Sequence, residues 1–175
     1  PLGVSLLNAG GEKLSYNLDR ENQPHLQRGI LIVQEGAETF VFQDVKERRI
    51  LSINNDLSAP FKIEHPEADF DFLMRHGSDG FNRYEATQKA AMQALQVFID
   101  KGEIDSTYVE GFGAVLADEG LGLESKAFML ELPTLSVLMQ EQEQIDIAPI
   151  SKALSALKKA MATRYKEPLL SLYAT

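Results

Sequence analysis

The sequence contains no cysteine. Disulfides and thiolate metal sites are therefore excluded, and the composition fits a cytoplasmic protein. Basic residues are scarce: 17 Lys and Arg stand against 26 Asp and Glu, for a net charge of −9 and a pI near 4.8. That balance argues against nucleic acid and anionic membrane surfaces as partners, since both attract basic patches. No apolar run approaches the roughly 20 residues that span a bilayer. No signal peptide is visible. No serine stands in a Gly-x-Ser-x-Gly elbow, and Gly111-Phe112-Gly113 follows no strand, so it is neither a dinucleotide fingerprint nor a phosphate loop.

What is present is enough for a core. Hydrophobic residues make up 44% of the chain and charged residues 25%, the composition of a globular protein rather than a disordered segment. The charge is uneven. Residues 1–65 hold 7 basic and 9 acidic residues, residues 66–175 hold 10 and 17, and the surplus of acids reads as solvated helix faces.

Short strand patterns occupy the first third of the chain. Leu2–Leu7, Lys13–Leu18, Gly29–Gln34, Glu38–Val45, Arg49–Asn54 and Ala59–His65 are expected strands. Asn8-Ala9-Gly10-Gly11 and Glu35-Gly36-Ala37 supply turns between them. Six strands with no helix between them predict an antiparallel sandwich. Beyond Pro66 the patterns are helical. A short helix over Asp69–His76 precedes a long one capped by Asp79, with Phe81, Tyr84, Gln88, Ala91, Leu95 and Phe98 on one face. Gln88, the polar member of that stripe, is expected to hold a local backbone group. Asp105 and Ser106 cap a helix whose apolar face carries Tyr108, Phe112, Val115 and Leu116. Gly120 is placed as a C-terminal glycine, Pro133 as a first-turn proline, and Pro168 as an interruption before a last helix. The predicted class is α+β: a partial antiparallel β-sandwich over 1–65, then the start of a helical array over 66–175.

The stretch Phe81-Asn82-Arg83-Tyr84-Glu85-Ala86-Thr87-Gln88, preceded by Ser58-Ala59-Pro60 and Phe72-Leu73-Met74-Arg75-His76, resembles the bacterial aminopeptidase N (alanyl aminopeptidase) family of zinc metallopeptidases. In that family a β-sandwich domain hands over to a helical domain through a Phe-x-Arg-(Trp/Tyr)-(Glu/Asp)-Ala-x-Gln motif. Phe81, Arg83, Tyr84, Glu85 and Gln88 stand at its positions, with Tyr84 where Trp is commoner. Thr39-Phe40-Val41-Phe42-Gln43-Asp44-Val45, Leu132-Pro133-Thr134 and Ile145–Ile150 follow the family's order, so the resemblance covers essentially the whole chain.

The resemblance implies an Ig-like sandwich lacking its first strands, followed by an ARM- or HEAT-like superhelix. It implies a zinc exopeptidase that releases N-terminal residues from peptides. It also implies two partners within the same chain, the catalytic domain and the rest of the helical domain. The His-Glu-x-x-His helix and the Gly-x-Met-Glu-Asn loop that carry the family's chemistry do not occur here. No catalytic or metal-binding residue is therefore assigned, and zinc is expected only elsewhere in a longer chain. The chain, beginning at Pro1 inside a domain, is expected to be a segment downstream of the catalytic domain. It would link the catalytic and helical domains and help wall the active-site chamber. An exposed sheet edge predicts a tendency to pair with a second copy.

Two other classes are open. One is a stand-alone interaction module, suggested by the acidic helical half. The other is a small metalloenzyme using His65, Asp69 and His76, within the cluster His65-Pro66-Glu67-Ala68-Asp69-Phe70-Asp71 with His76 beyond. Capping accounts for most of that cluster, since acids at a helix N-terminus and a cation at its C-terminus both complement the macrodipole. Packing is the better account of Gly111 and Gly113. Arg83 and Glu85, which project away from the Phe81–Tyr84–Gln88 stripe, are expected to tie the long helix to neighbouring backbone.

Overall fold

The computed structural model describes residues 1–19, 29–33, 36–45, 49–60, 69–140 and 146–173. The expected Ala59–His65 strand falls mostly outside these residues, as do His25, His65, Pro66 and Glu67. Among the described residues the chain forms five strands and then seven helices, in two compact units.

The first unit comprises Pro1–Asp69 and His76–Arg83. Its centre is β1 (Leu2–Leu7), in which Gly3 to Leu7 are all buried. Burial of consecutive residues means that both faces of the strand are covered. β1 lies between β3 (Ile30–Leu31) and β5 (Ile50–Ile53), antiparallel to each. Leu2 pairs with Leu31, and Val4 through Leu7 pair with Ile53 through Ile50. β2 (Asn17–Leu18) and β4 (Phe42–Gln43) form a separate antiparallel pair. There Tyr16 meets Phe42 edge-on, with ring centres 4.9 Å apart. The expected Lys13–Leu18 strand shrinks to β2 and a single bridge between Leu7 and Lys13. The turn before it is closed by Asn8, whose Oδ1 accepts from the N–H groups of Gly10 and Glu12 at 2.9 Å each. Gly11 in that turn has φ +84°, a conformation that suits a residue without Cβ.

The second unit comprises Phe70–Arg75 and Tyr84–Thr175. Its helices are α1 (Phe70–His76, the last residue in unit 1), α2 (Gly80–Lys101, from Tyr84 in unit 2), α3 (Ser106–Ala117), α4 (Leu123–Leu130), α5 (Leu135–Gln140), α6 (Ile147–Arg164) and α7 (Lys166–Tyr173). One core joins them, with Met74, Leu95, Tyr108, Val115, Ile150 and Leu157 essentially inaccessible. Asp79, Asp105 and Asp146 cap α2, α3 and α6. Their carboxylates accept from Asn82 N at 2.8 Å, from Thr107 N at 2.9 Å and from Ala148 N at 3.1 Å.

Several boundaries differ from expectation. α2 ends at Lys101, and Gly102 after it, with φ +73° and an N–H bond to Phe98 O at 2.8 Å, makes the left-handed C-terminal cap. Gly120 plays no such part. Its N–H is held at 2.9 Å by the Asp118 carboxylate, which turns the chain after α3. Pro133 lies outside α5, before Thr134, whose hydroxyl accepts from Val137 N. Pro168 lies inside the first turn of α7, where a missing N–H breaks no helical bond; the break between α6 and α7 is at Tyr165.

α2 buries a different stripe from the one its aromatics suggest. Asn82, Arg83, Ala86, Thr87, Ala90, Ala91, Ala94 and Leu95 are buried, while Phe81, Tyr84, Gln88 and Phe98 are partly exposed. Small side chains admit close neighbours, and the larger rings flank the contact.

Candidate functional site

In unit 1, the polar residues around β1, β5 and the start of α2 close on one another. After β5 the chain turns sharply through Asn54 (φ +65°), Asp56 (+57°) and Leu57 (+48°), left-handed conformations that cost a side-chain-bearing residue energy. Asn54, 1% exposed, offsets that cost. Its Oδ1 accepts from Ser58 Oγ at 2.9 Å and Ala59 N at 2.8 Å, and its Nδ2 donates to Ala59 O at 3.0 Å. Ser58 Oγ in turn accepts from Gly3 N of β1 at 2.7 Å. Asn55 Oδ1 accepts from Ser52 Oγ at 2.8 Å and from Asn82 Nδ2 at 2.7 Å, while its Nδ2 donates to Ser5 Oγ at 3.0 Å. Asn82 Nδ2 also donates to Ser52 Oγ at 3.0 Å. Asp79 completes the set: one oxygen caps α2 and the other accepts from Asp56 N at 2.8 Å. A cavity of about 710 Å³ lies alongside, lined by Asn55, Asp56, Ser58, Asp79, Lys13 and Tyr16 among others. Burial pushes the Tyr16 pKa up.

The network joins residues up to 55 positions apart. Its amides and hydroxyls bind one another, as buried polar groups must. Asn54, Asn55 and Asn82 were not among the residues singled out from the sequence. Asparagine in a turn and asparagine in the first turn of a helix each have an ordinary local reading, and only the fold brings them together.

The motif residues are divided by the unit boundary, which falls between Arg83 and Tyr84. In unit 1, Arg83 is 8% exposed and Phe81 is partly exposed. In unit 2, Tyr84 and Gln88, one turn apart on α2, both address the end of α4. The Tyr84 ring stacks on Phe128 at 4.4 Å with a 20° interplanar angle. Gln88 Nε2 donates to Glu131 O at 2.8 Å. The amide therefore holds a backbone group 43 residues away rather than a local one, and it does so half-buried. Glu85 is also half-buried.

The other singled-out residues are placed as follows. Asp71 accepts from Arg75 at 3.1–3.2 Å, and Arg75 also donates to Thr107 O at 3.0 Å. A carboxylate–guanidinium pair one turn apart on α1 thus accounts for Asp71. Among the described residues no three His, Cys, Asp or Glu side chains are grouped to hold a metal ion. Gly111 and Gly113 are packing positions. A Cβ on Gly111 would meet Asp71 Oδ1 at 2.9 Å and Met74 Sδ at 3.0 Å, and one on Gly113 would overlap the Tyr165 hydroxyl and ring.

Two buried polar groups in unit 2 escaped the sequence reading. Lys126 of α4, 9% exposed, donates its ammonium to Leu116 O at 2.9 Å, capping the last turn of α3. Tyr108, 2% exposed, carries a hydroxyl with no hydrogen-bond partner among the described residues, and burial drives its pKa far up. No helix among the described residues is long and apolar enough to cross a membrane.

Comparison with known proteins agrees with this architecture. Aminopeptidase N of Escherichia coli (strain K12) is 27% identical over 157 residues, covering 85% of this chain and 18% of that protein. Aminopeptidase N of Haemophilus influenzae is 26% identical over 186 residues, covering 99% of this chain and 20% of that protein. The chain thus spans about a fifth of the curated relatives it matches. The crystal structure of Legionella pneumophila aminopeptidase A in complex with aspartic acid superposes with a TM-score of 0.77 over 98% of this chain and 19% of that one; at 22% identity the likeness is one of fold. The α+β fold with antiparallel strands before a helical array stands, as does the resemblance to aminopeptidase N. Residues 67–175, more than half of the chain, match the family described as "Domain of unknown function (DUF3458_C) ARM repeats", and the chain belongs to that family.

Proposed function

We propose that this chain is a non-catalytic segment of a longer zinc-dependent aminopeptidase that releases N-terminal residues from peptides. The observation that carries the proposal is the alignment of nearly the whole chain with one fifth of aminopeptidase N. The segment's domains are an Ig-like sandwich over 1–65 and the beginning of the helical domain over 66–175. It links the catalytic domain to the remaining helices and forms part of the wall around the active site. Zinc is held by the catalytic domain, outside this chain, and the enzyme is cytoplasmic. Phe81, Arg83, Tyr84, Glu85 and Gln88 act structurally at the handover between domains. Isolated from the longer chain, the segment pairs with a second copy through a free sheet edge.

The test begins with the coding sequence before the Pro1 codon. An in-frame His-Glu-x-x-His with a later Glu is expected. The full-length product should hydrolyse alanine p-nitroanilide, lose that activity to a chelator and regain it with zinc. A full-length product with neither the motif nor the activity would overturn the proposal and favour the stand-alone interaction module.

A further inference from the structure

A groove of about 580 Å³ runs along unit 2 between the α4–α5 connection and the helices α6 and α7. Its walls are apolar: Phe112, Leu130, Leu132, Leu154, Met161 and Leu169 line it. Two charged residues also line it, Glu131 and Lys158. Both are exposed, and neither side chain makes an ion pair or hydrogen bond among the described residues. Glu131 is fixed at the backbone, because its carbonyl accepts from Gln88. An apolar trough that carries one anion and one cation, both unpaired among the described residues, differs from a purely hydrophobic face. It complements a ligand that is mostly apolar and carries both a positive and a negative charge.

We propose that the groove binds a short apolar peptide with free termini, its carboxylate toward Lys158 and its ammonium toward Glu131. The inference concerns this chain's own residues and holds whether or not a longer chain is an aminopeptidase. A fully apolar ligand would leave both charges unused. A simple anion would be repelled by the acidic surplus of this half of the chain, 17 acidic against 10 basic residues over 66–175.

The experiment is an NMR titration of the 175-residue chain with trileucine and with its N-acetylated, C-amidated counterpart. Trileucine is expected to shift the amides of residues 130–135 and 154–162 with a dissociation constant on the order of 1 mM, an ordinary affinity for so small a ligand. The doubly blocked peptide should bind about tenfold more weakly. Lys158→Ala and Glu131→Gln, both at exposed side chains, should each remove most of that difference while far-ultraviolet dichroism stays unchanged. Equal binding of the free and blocked peptides would overturn the proposal. So would the absence of shifts at about 10 mM trileucine, roughly ten times the expected constant. Shifts of the same amides on concentrating the chain without peptide would assign the groove to a second copy and likewise overturn it.

Discussion

Substituting Gly113 by alanine should destabilise the chain, although alanine is the better helix former. Gly113 lies in the interior of α3, where Gly→Ala alone is worth about 1 kcal/mol in favour of the helix. Against that gain stands Tyr165, at the break between α6 and α7. Its hydroxyl donates to Val109 O at 2.9 Å and its ring stacks on Phe112 at 5.8 Å. A Cβ on Gly113 would overlap the Tyr165 hydroxyl and Cζ and lie 2.6 Å from Cε1. The ring would have to leave. That forfeits a hydrogen bond of about 1 kcal/mol and an aromatic contact of about 0.5–1.5 kcal/mol, with packing strain of about 1–3 kcal/mol if the ring stays. The net expectation is a loss of about 0.5–1.5 kcal/mol, or a fall in melting temperature of roughly 1–6 °C for a chain of this length. The assay is thermal and urea unfolding of four proteins: wild type, Gly113→Ala, Tyr165→Ala and the double variant. In the Tyr165→Ala background the alanine has nothing to overlap, so Gly113→Ala should become stabilising by up to about 1 kcal/mol. Tyr165→Phe should not rescue Gly113→Ala, because the ring carbons remain in the way. A stabilising Gly113→Ala in the wild-type background, or an effect of equal sign in both backgrounds, would refute the reasoning.

Asn82→Asp should cost more than Asn82→Ala, about 3 against 2 kcal/mol by urea unfolding, because it sets a carboxylate against Asn55 Oδ1 where an N–H now donates. Equal losses would show that the network is indifferent to donor polarity. Lys126→Met keeps the aliphatic stem but removes the ammonium from Leu116 O; a loss of about 1–2 kcal/mol is expected, and an unchanged midpoint would deny the cap any weight. Tyr108→Phe removes a buried hydroxyl without a partner among the described residues and should stabilise by about 1 kcal/mol at neutral pH. Its effect also has a pH signature. With the folded pKa raised by burial above the ordinary tyrosine value of about 10, the unfolded chain releases the proton first. Stability is therefore intact below pH 10 and falls above it, by up to about 1.4 kcal/mol per pH unit from this group. Tyr108→Phe should flatten that alkaline slope but not abolish it, since Tyr16 shifts in the same direction; an unchanged slope would contradict the assignment.

The features legible in the sequence are those whose cause is local. Asp79 and Asp105 were readable as caps because a cap needs one carboxylate and the three residues after it. The buried face of α3 was readable because Tyr108, Phe112, Val115 and Leu116 are both large and correctly spaced. α2 misleads for the complementary reason. Its aromatics mark a flank, and its deepest positions are Thr87 and Ala91, at 0% exposure. Size on a helix reports burial only where the neighbours leave room for it, and here they do not. Gly102 carried a readable signal, a glycine directly after the last basic residue of a long helix, whereas Gly120 attracted that role by following α3. β1 runs over Leu2–Leu7 as its pattern predicts, but the other strands came out shorter because alternation marks which face a residue takes, and pairing needs a partner in register as well.

The motif Phe81–Gln88 shows how far a short signature can be resolved into physical tasks. Its residues fall on both sides of the boundary between the two units. Asn82 and the preceding Asp79 spend their hydrogen-bonding capacity on Ser52, Asn55 and Asp56, within unit 1. Tyr84 stacks its ring on Phe128 and Gln88 donates to Glu131 O, within unit 2. The two sets differ in what substitution they tolerate. A ring stacked on a phenylalanine that is 58% exposed can be exchanged for another flat ring, since stacking asks for a face and an area. The asparagines have no such freedom, because Asn55 donates and accepts at once and Asn82 aims its Nδ2 at two oxygens in a buried space. The aromatic position is therefore the one at which Tyr and Trp are interchangeable, and Asn82 is the one at which even Asp, equal in size, should fail.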